Sequence, residues 1–376
     1  MKERRYDLDW LRVMAILLLH LFHCAMPFIA EWDWHLKNSE TSNLVLECNY
    51  FLSRWRMPLL FFISGVGTVF VLNQLSVRHY IWQRTKRLLV PLVFGMLVIV
   101  PPQVYFERIF KGAKYSSYID FYPSIFTTGV YPNGNLSWHH LWFIAYLFVY
   151  SIIALPIFLF LKSEKGKGII NWAALFSERF LGMYGFAIIL YIASFLYFWF
   201  PNETHAFVDD WAGFARYFSY FIFGYFIGVN PVFWTHLENN RKKNLKVAFF
   251  STILINYFRW NNIEPDWGMN MPNLFFYALI VVSAWLWVIT FLGYAKKYLN
   301  FNNKFLQFAN EAIYPFYILH QTFIVIIAYY IIQLRDDIFS KYIFLTFVSF
   351  TLSLGVYVFL VKPYKITRLL FGMKIK

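Results

Sequence analysis

Long stretches without a charged residue recur from one end of this 376-residue chain to the other. A helix needs about 18 or more apolar residues to cross a bilayer, and most of these stretches reach that length. The clear stretches are residues 13–30, 57–77, 88–106, 138–161, 180–202, 217–237, 272–295, 312–334 and 342–361. A tenth and weaker stretch, residues 247–263, is interrupted by Arg259.

These stretches predict an all-α fold, a polytopic membrane helix bundle with about ten transmembrane helices in a single domain covering residues 1–376. Backbone polar groups in lipid must be satisfied within the spanning segment, and the alternating pattern of a membrane barrel is absent. The composition agrees, since only 14% of the residues are charged. Soluble proteins carry roughly 25%, so this chain has too little charge to cover a water-facing surface.

The positions of Lys and Arg predict the orientation of these spans. If the N-terminus lies inside and all ten spans cross, the inside segments hold about three times as many Lys and Arg residues as the outside segments. Both termini are therefore predicted to be cytoplasmic. The net charge of +14 follows from this topology, and no nucleic-acid partner is expected. Two cysteines are too few for a disulfide framework.

The first span carries ionisable residues where lipid should exclude them. Each one costs roughly 2.5–3.5 kcal/mol in the middle of a membrane, so each calls for an explanation. Arg12 and His23 are eleven residues apart, which places them about 20° from the same helix face and roughly 16 Å apart along the axis. One face thus combines a cation near the cytosol with an imidazole deeper in the membrane. His20, one turn before His23, is expected to support it.

A basic cluster, Arg84, Lys86 and Arg87, stands directly before the third span. On an α-helix Arg84 and Arg87 are neighbours at i, i+3. Two guanidinium groups on one face can hold phosphate oxygens with a bidentate geometry that lysine lacks. The alternative is an ordinary anchor for lipid head groups at the end of a span.

Further histidines occur at or within spans. His320 lies in the middle of the ninth predicted span, and it is either functional or a structural histidine with Gln321 as its partner. His139 and His140 open the fourth span, together with Trp142, as site residues or as interfacial anchors. The spacing of the histidines and the lack of carboxylates in the spans predict no metal site.

Five motifs in this order resemble the acyltransferase-3 family of bacterial integral-membrane acyltransferases. Asp9-Trp10-Leu11 and residues 315–321 are most similar to the branch that contains glucans biosynthesis protein C, which is associated with succinylation of periplasmic glucans. The five motifs are Arg12-x10-His23, the Met-Pro-Leu-Leu-Phe-Phe-Ile-Ser-Gly run at 57–65, Arg84-x-x-Arg87, His140-Leu-Trp-Phe143, and Tyr-Pro-Phe-Tyr-Ile-Leu-His-Gln at 314–321.

The resemblance implies transfer of an acyl group, acetyl or succinyl, from cytoplasmic acyl-coenzyme A to a hydroxyl of an extracytoplasmic glycan or glycolipid, at the bacterial inner membrane. Acyl-coenzyme A is then a co-substrate, and no permanently bound cofactor is expected. The site residues by role are His23 as catalytic base, His320 and Trp142 as candidate donors to the oxyanion, Arg12, Arg84, Lys86 and Arg87 for the donor phosphates, and His139, His140 and Trp142 for the acceptor.

Two alternatives stay open at this point. The first is a covalent acyl intermediate on His23. The second is a transporter in which His20, His23 and His320 relay protons, although carboxylates inside the spans and an inverted repeat are missing. A thiol nucleophile at Cys24 is disfavoured. Cys24 and His23 are adjacent on the helix and point about 100° apart, so they would not face the same pocket. Apart from membrane lipids, the donor and the acceptor, the sequence predicts no partner, and it leaves the oligomeric state open.

Overall fold

In this computed structural model residues 4–179, 182–201 and 203–374 are described, and these residues form helices, with one isolated bridge, Val130 to Leu136, and no strand. The all-α prediction is confirmed. The α-helices are α1 (Tyr6–Ala25), α2 (Asn43–Leu72), α3 (Val77–Arg84), α4 (Val90–Phe94), α5 (Pro101–Phe110), α6 (Tyr118–Phe121), α7 (Ser124–Thr127), α8 (Trp142–Ile153), α9 (Leu155–Lys162), α10 (Glu164–Ser177), α11 (Phe186–Ser194), α12 (Trp211–Val229), α13 (Pro231–Trp260), α14 (Met271–Tyr298), α15 (Lys304–Ile331), α16 (Ile338–Val356) and α17 (Lys365–Leu370).

Six helical segments among the described residues are long and apolar enough to cross a membrane. A seventh results if the pair His139–Ile153 and Leu155–Lys162, which is bent by 48°, forms one broken span. Pro156 explains the bend, because it lies in the first turn of α9 and has no N–H to continue the helix. The six segments are Tyr6–Phe28, Asn43–Leu72, Val77–Phe110, Met271–Tyr298, Lys304–Ile331 and Ile338–Val361.

The remaining three predicted spans correspond to shorter or more polar helices. Phe186–Phe198 is an apolar helix of fewer than 18 residues. The ends of the predicted span 180–202, residues 180, 181 and 202, lie outside the described residues. The other two predicted spans fall on α12 and α13. The prediction of ten spans with cytoplasmic termini therefore stays a prediction.

The boundaries predicted for the region after residue 217 are wrong. A span was expected over 217–237 and a basic loop before 247, but α12 ends at Val229 and α13 runs without a break from Pro231 to Trp260. The reason is local. Asn230 caps α13 by accepting a hydrogen bond from the N–H of Val232, and Pro231 occupies the first turn. The basic residues at 241–246 lie on this helix.

The chain divides into two compact units. The first consists of Met1–Arg12, Arg54–Tyr80 and Val149–Asn303. In this unit Gly65 permits a close helix contact, because a Cβ there would lie 2.0 Å from the carbonyl oxygen of Phe221. A Cβ on Gly224 would equally lie 1.9 Å from the carbonyl oxygen of Phe62, so both glycines are needed.

The second unit consists of Val13–Ser53, Ile81–Phe148 and Lys304–Lys376. Here α15 packs against α5 and α16, and α17 packs against α4. Apolar side chains of α1, the short turn after it, α15 and α16 form its core, including Cys24, Phe28, Ile324, Val325, Ala328 and Leu345. This division does not decide whether the chain is a single domain, which stays a prediction. The unit carries most of the predicted site residues.

Candidate active site

His23 on α1 and His320 on α15 form a hydrogen-bonded pair, here called the histidine pair. His23 Nδ1 lies 2.9 Å from His320 Nε2, and the two rings are stacked with an interplanar angle of 7°. His320 is fully buried, whereas His23 is partly exposed. The two residues are 297 positions apart in the chain, and their direct contact could not be predicted from their spacing.

The partners of the pair fix its tautomer. His320 Nδ1 lies 2.6 Å from the carbonyl oxygen of Tyr317, and since a carbonyl only accepts, this nitrogen carries the proton. In the neutral ring His320 Nε2 is then an acceptor, so His23 Nδ1 donates to it. His23 Nε2 therefore holds the lone pair, which is the arrangement that a general base requires. Gln321, which was the candidate partner if His320 were structural, bonds to His35 and Gln103.

His20 lies beside the pair, and its supporting role stays a prediction. Its Nε2 lies 3.1 Å from the carbonyl oxygen of Thr346, and its ring contacts the ring of His320 edge to face. Because His20 Nε2 donates to this carbonyl, it cannot also accept a proton from the thiol of Cys24, which lies 3.7 Å away. Cys24 is fully buried and packs between α1 and α16. The geometry offers this thiol no base.

His140 lies beside the pair, with its ring 5.3 Å from that of His320. Its Nε2 is 3.0 Å from the carbonyl oxygen of Ile318, and its own carbonyl accepts a hydrogen bond from the hydroxyl of Tyr317. The side chain is buried, and these contacts join the start of the fourth span to α15. Trp142 begins α8 and its ring contacts that of Tyr146. A role of either residue in substrate contact stays a prediction.

A second polar group, here called the Glu107 cluster, consists of His35, Glu107, Lys111, Tyr131 and His139. The carboxylate of Glu107 is fully buried at the end of α5 and accepts hydrogen bonds from His35 Nδ1, from Lys111 Nζ at 2.6 Å and from the hydroxyl of Tyr131 at 3.0 Å. Burial and the adjacent carboxylate raise the pKa of the Tyr131 phenol, which keeps it a donor.

His139 is the incompletely bonded member of the Glu107 cluster. Its backbone lies in the left-handed region with φ of 38°, which costs a non-glycine residue free energy and marks functional sites. Its Nδ1 contacts the hydroxyl of Ser137 at 3.0 Å. Its Nε2 is buried without a hydrogen-bond partner. A buried imidazole nitrogen of this kind is a ready position for a ligand hydroxyl.

The Glu107 cluster is also the group of described residues that offers a metal-binding donor set. Ligand atoms of His35, Glu107 and His139 lie within 4.8 Å of one another, and two imidazoles with one carboxylate suit zinc. However, His35 uses its second ring nitrogen with Gln321 Nε2 at 3.1 Å, and the carboxylate already has three donors. Two of the three candidate ligands are thus engaged in hydrogen bonds, so the residues fit a hydrogen-bonded network better than a metal.

Sequence reasoning missed most of the Glu107 cluster. The buried polar chain continues from His35 through Gln321 and Gln103 to Thr322, whose hydroxyl donates to the carbonyl oxygen of Ile99 at 2.7 Å. Glu107 comes one residue after the predicted end of the third span. A carboxylate outside the membrane costs little free energy, so Glu107 did not stand out in the sequence. One sequence pattern could have indicated the cluster: the polar residues Gln103 and Glu107 are four apart and therefore lie on one helix face.

The basic cluster does not have the α-helical spacing that was predicted. Arg84 is the last residue of α3, and residues Thr85–Leu89 form a π-helical turn that contains Lys86 and Arg87. The wider i to i+5 turn changes the angle between the two guanidinium groups, and π-helical turns are frequent at functional sites. Both arginines are partly buried, whereas Lys86 is exposed with its ammonium 5.3 Å from the ring centre of Trp82.

The backbone of Arg87 is held from two sides. Its carbonyl oxygen accepts a hydrogen bond of 2.8 Å from the hydroxyl of Tyr314 on α15. Gly372, with φ of 66°, packs so closely that a Cβ there would lie 2.6 Å from the same oxygen. The π-helical turn is therefore fixed by α15 and by the segment after α17.

Arg12 belongs to the first unit. Its Nη2 lies 2.6 Å from Asp9 Oδ1, and Asp9 also pairs with Arg4 at 2.9 Å. The side chain of Arg12 is 40% exposed. The ion pair with Asp9 fixes the position of the Arg12 side chain. It also weakens the attraction of Arg12 for other anions, because part of its charge is neutralised.

Comparison with known proteins identifies a family. The sequence profile of the acyltransferase-3 family, described as "Acyltransferase domain", matches residues 5–359. The chain is 27% identical over 160 residues to glucans biosynthesis protein C of Escherichia coli strain SMS-3-5 / SECEC, which is 42% of this chain and 39% of that protein. The proteins of the same name from strains K12 / DH10B and O1:K1 / APEC are 26% identical over the same shares.

The match to these curated relatives thus covers about two fifths of their length. No solved structure matches the chain.

Proposed function

Because the chain belongs to the acyltransferase-3 family, we propose that this membrane protein transfers an acyl group, acetyl or succinyl, from cytoplasmic acyl-coenzyme A to a hydroxyl of an extracytoplasmic glycan. The observation that carries the proposal is the histidine pair, in which His23 Nδ1 contacts His320 Nε2 at 2.9 Å and His320 Nδ1 faces a backbone carbonyl. This arrangement leaves a basic nitrogen on a partly exposed ring.

The chemistry follows from that nitrogen. His23 Nε2 accepts the proton of the acceptor hydroxyl while the hydroxyl oxygen bonds to the thioester carbonyl carbon. The carbon–sulfur bond then breaks, and the coenzyme A thiolate takes the proton from His23, which returns to its neutral state. General-base assistance of this kind contributes about 10²–10⁴-fold to the rate. His320 Nε2 bonds more strongly to the imidazolium than to the neutral ring, and so favours the transition state.

The acyl donor is proposed to bind through its phosphates. Arg84 and Arg87 are cations on a turn that Tyr314 and Gly372 hold in place, so their positions are set before the donor arrives. Lys86 on the same turn adds an exposed charge. Arg12 is proposed to contribute from the first helix, less strongly because Asp9 already pairs with it.

The acceptor is proposed to be a glycan, which rests on the name of the Escherichia coli relatives and on the Glu107 cluster. His139 Nε2 lacks a partner, and a sugar hydroxyl can either donate to it or accept from it. The residues that surround it, His35, Glu107 and Tyr131, are of the kinds that bond to sugar hydroxyls.

The proposed topology is about ten spans in the bacterial inner membrane, with both termini in the cytoplasm. The six long apolar segments and the bent pair supply seven, and the Phe186–Phe198 helix, α12 and α13 supply the others. This topology puts the Arg84–Arg87 turn on the cytoplasmic side and His139 on the opposite side, as transfer across the membrane requires.

The experiment that tests the proposal uses purified protein with radiolabelled acetyl- and succinyl-coenzyme A and a panel of bacterial surface and periplasmic glycans. Label should appear on a glycan with the wild-type protein and be lost in His23→Ala. His79→Ala, an exposed histidine variant, is the matched control and should keep full activity. Solute flux in liposomes without label transfer would instead indicate a transporter and contradict the proposal.

A further inference from the structure

A basic cavity of about 210 Å³ lies in the first unit, among residues that the proposed transfer reaction does not use. One wall is a face of α13, where His236, Asn240 and Lys243 recur at helical spacing. The opposite wall is the end of α10 and the turn after it, with residues Glu178, Arg179, Met183 and Tyr184.

The wall formed by the turn is fixed by specific contacts. Gly182 packs closely against α10, because a Cβ there would lie 2.2 Å from the carbonyl oxygen of Phe176. The carbonyl oxygen of Met183 accepts a hydrogen bond of 2.8 Å from the buried indole of Trp285. The hydroxyl of Tyr184 donates to Asn244 Oδ1 at 2.9 Å. These contacts hold Met183 and Tyr184 in place at the cavity wall.

The charges lining the cavity favour an anion. Arg179 and Lys243 are permanent cations, and Glu178 is the opposing carboxylate among the lining residues. The nearby Glu238 pairs with Lys297 at 3.4 Å, so its charge is directed elsewhere. Asn240 Nδ2 contacts His236 Nε2 at 3.2 Å and holds that ring against the helix. The guanidinium and ammonium groups together can bond to several oxygens of one phosphate.

The surroundings of the cavity indicate an amphiphile. In its last two turns α10 exposes Trp172, Leu175 and Phe176, and α13 exposes Phe249 and Phe250 about two turns beyond Lys243. A ligand phosphate in the cavity would thus have exposed apolar side chains on both sides for its hydrocarbon part. The cavity is smaller than the roughly 300–1,000 Å³ of sites that enclose a whole small molecule, so it suits a phosphate with its attached alcohol.

We propose that this cavity binds the phosphate group of an anionic amphiphile, held by Arg179 and Lys243. Two sources share this chemistry, namely the head group of a membrane phospholipid and the phosphates of an acyl-coenzyme A. Its residues are not those of the histidine pair, and it binds its ligand whether or not the protein transfers acyl groups.

The test measures binding in nanodiscs of phosphatidylcholine. One arm follows the immobilised fraction of spin-labelled phosphatidylglycerol by electron paramagnetic resonance, and the other follows binding of desulfo-coenzyme A by calorimetry. The variant is the double substitution Arg179→Ala with Lys243→Ala. The matched control is Lys242→Ala with Lys246→Ala, which removes the same charge from exposed positions of α13.

Each outcome decides the matter. The pocket variant should lower the association constant about tenfold or more for one probe, as loss of charge-assisted contacts to a phosphate does, while the control changes it less than about twofold. Loss in the phosphatidylglycerol arm assigns a lipid, and loss in the desulfo-coenzyme A arm assigns the acyl donor. Unchanged binding of both probes, or equal losses in the pocket and control variants, would overturn the site.

A single substitution at Glu178 gives a test in the opposite direction. Glu178→Gln removes the opposing charge and should strengthen binding of the same probe by about two- to fivefold, since an exposed charge contributes up to about 1 kcal/mol. Because this variant keeps Arg179 and Lys243, it separates loss of the site from loss of folding. Weaker binding in Glu178→Gln would contradict the assignment.

Discussion

The histidine pair and the Glu107 cluster are both polar groups buried in the second unit, yet they are stabilised in different ways. In the pair the Nδ1–H of His23 donates to His320 Nε2, and the Nδ1–H of His320 donates to the carbonyl oxygen of Tyr317. In the cluster a charged carboxylate is held by an ammonium, an imidazole and a phenol. The pair can change its protonation state and keep its partners, whereas the cluster cannot.

This difference separates catalysis from structure. A group that takes up and releases a proton in each turnover must have a partner that suits both states, and His320 is such a partner for His23. A buried carboxylate with three donors loses much of its stabilisation when it is protonated or removed. Substitutions in the pair should therefore affect the rate, and substitutions in the cluster should affect stability first.

The largest effect is expected at His23. His23→Ala removes the nitrogen that takes the proton from the glycan hydroxyl. The turnover number should therefore fall about 10²–10⁴-fold, while the protein still inserts into the membrane and binds the donor. Single-turnover transfer of a radiolabelled acyl group measures this. Transfer at the wild-type rate would remove His23 from the mechanism and leave the pair without a catalytic role.

Glu107→Ala should lower stability more than activity. Removing this buried acceptor leaves the donors of His35 and Tyr131 without their partner, which costs about 1–3 kcal/mol for each buried donor, whereas Lys111 is half exposed and can bond to water. Tryptophan fluorescence during thermal unfolding in detergent measures the change. The matched control is Glu164→Ala, which breaks the Glu164–Lys167 pair at a side chain that is 89% exposed.

The control pair should contribute only about 0–1 kcal/mol, as exposed pairs do. Equal unfolding midpoints in the two glutamate variants would show that the Glu107 cluster does not stabilise the fold. A loss of turnover in Glu107→Ala at unchanged stability would move the cluster into the reaction itself.

A smaller effect is expected for the donor site. Arg84→Ala or Arg87→Ala should raise the KM for acyl-coenzyme A about tenfold, with little change in the turnover number, because a charge-assisted phosphate contact is lost. Lys86→Ala, on the same turn but exposed, is the control and should change KM less than about threefold. An unchanged donor KM in both arginine variants would leave them as lipid anchors.

The smallest effect is expected at Cys24. Cys24→Ser replaces a buried thiol that faces His20 and Ser349, so the turnover number should stay within about twofold of wild type. Steady-state kinetics before and after treatment with a thiol reagent provide the measurement. Loss of turnover in this variant at normal stability would reinstate a thiol nucleophile.

Sequence reasoning predicted what depends on local chemistry. The apolar runs predicted the helical class and the positions of the six long apolar helices. It failed where a short-range cap decided the outcome, as at Asn230 and Pro231, which begin a new helix inside a predicted span. The π-helical turn at Arg87 depends on Tyr314 and Gly372, which are distant in the chain.

The candidate site was predicted only in part for the same reason. His23 and His320 stood out because histidines are rare inside spans, and each could be named separately. Their pairing, and the place of His35 beside Gln321, depends on how α1, α5 and α15 meet. No spacing along the chain encodes a contact between residues that are 286 or 297 positions apart.

The central claim is that His320 holds His23 in the tautomer that takes the proton from the hydroxyl of the glycan. The most direct measurement compares the turnover number of His320→Gln and His320→Ala at saturating donor. Gln offers an oxygen to His23 Nδ1–H, so His320→Gln should retain at least about tenfold more activity than His320→Ala, which should lose about 10²-fold or more with unchanged donor KM. Equal rates in the two variants, or wild-type turnover in His320→Ala, would contradict it.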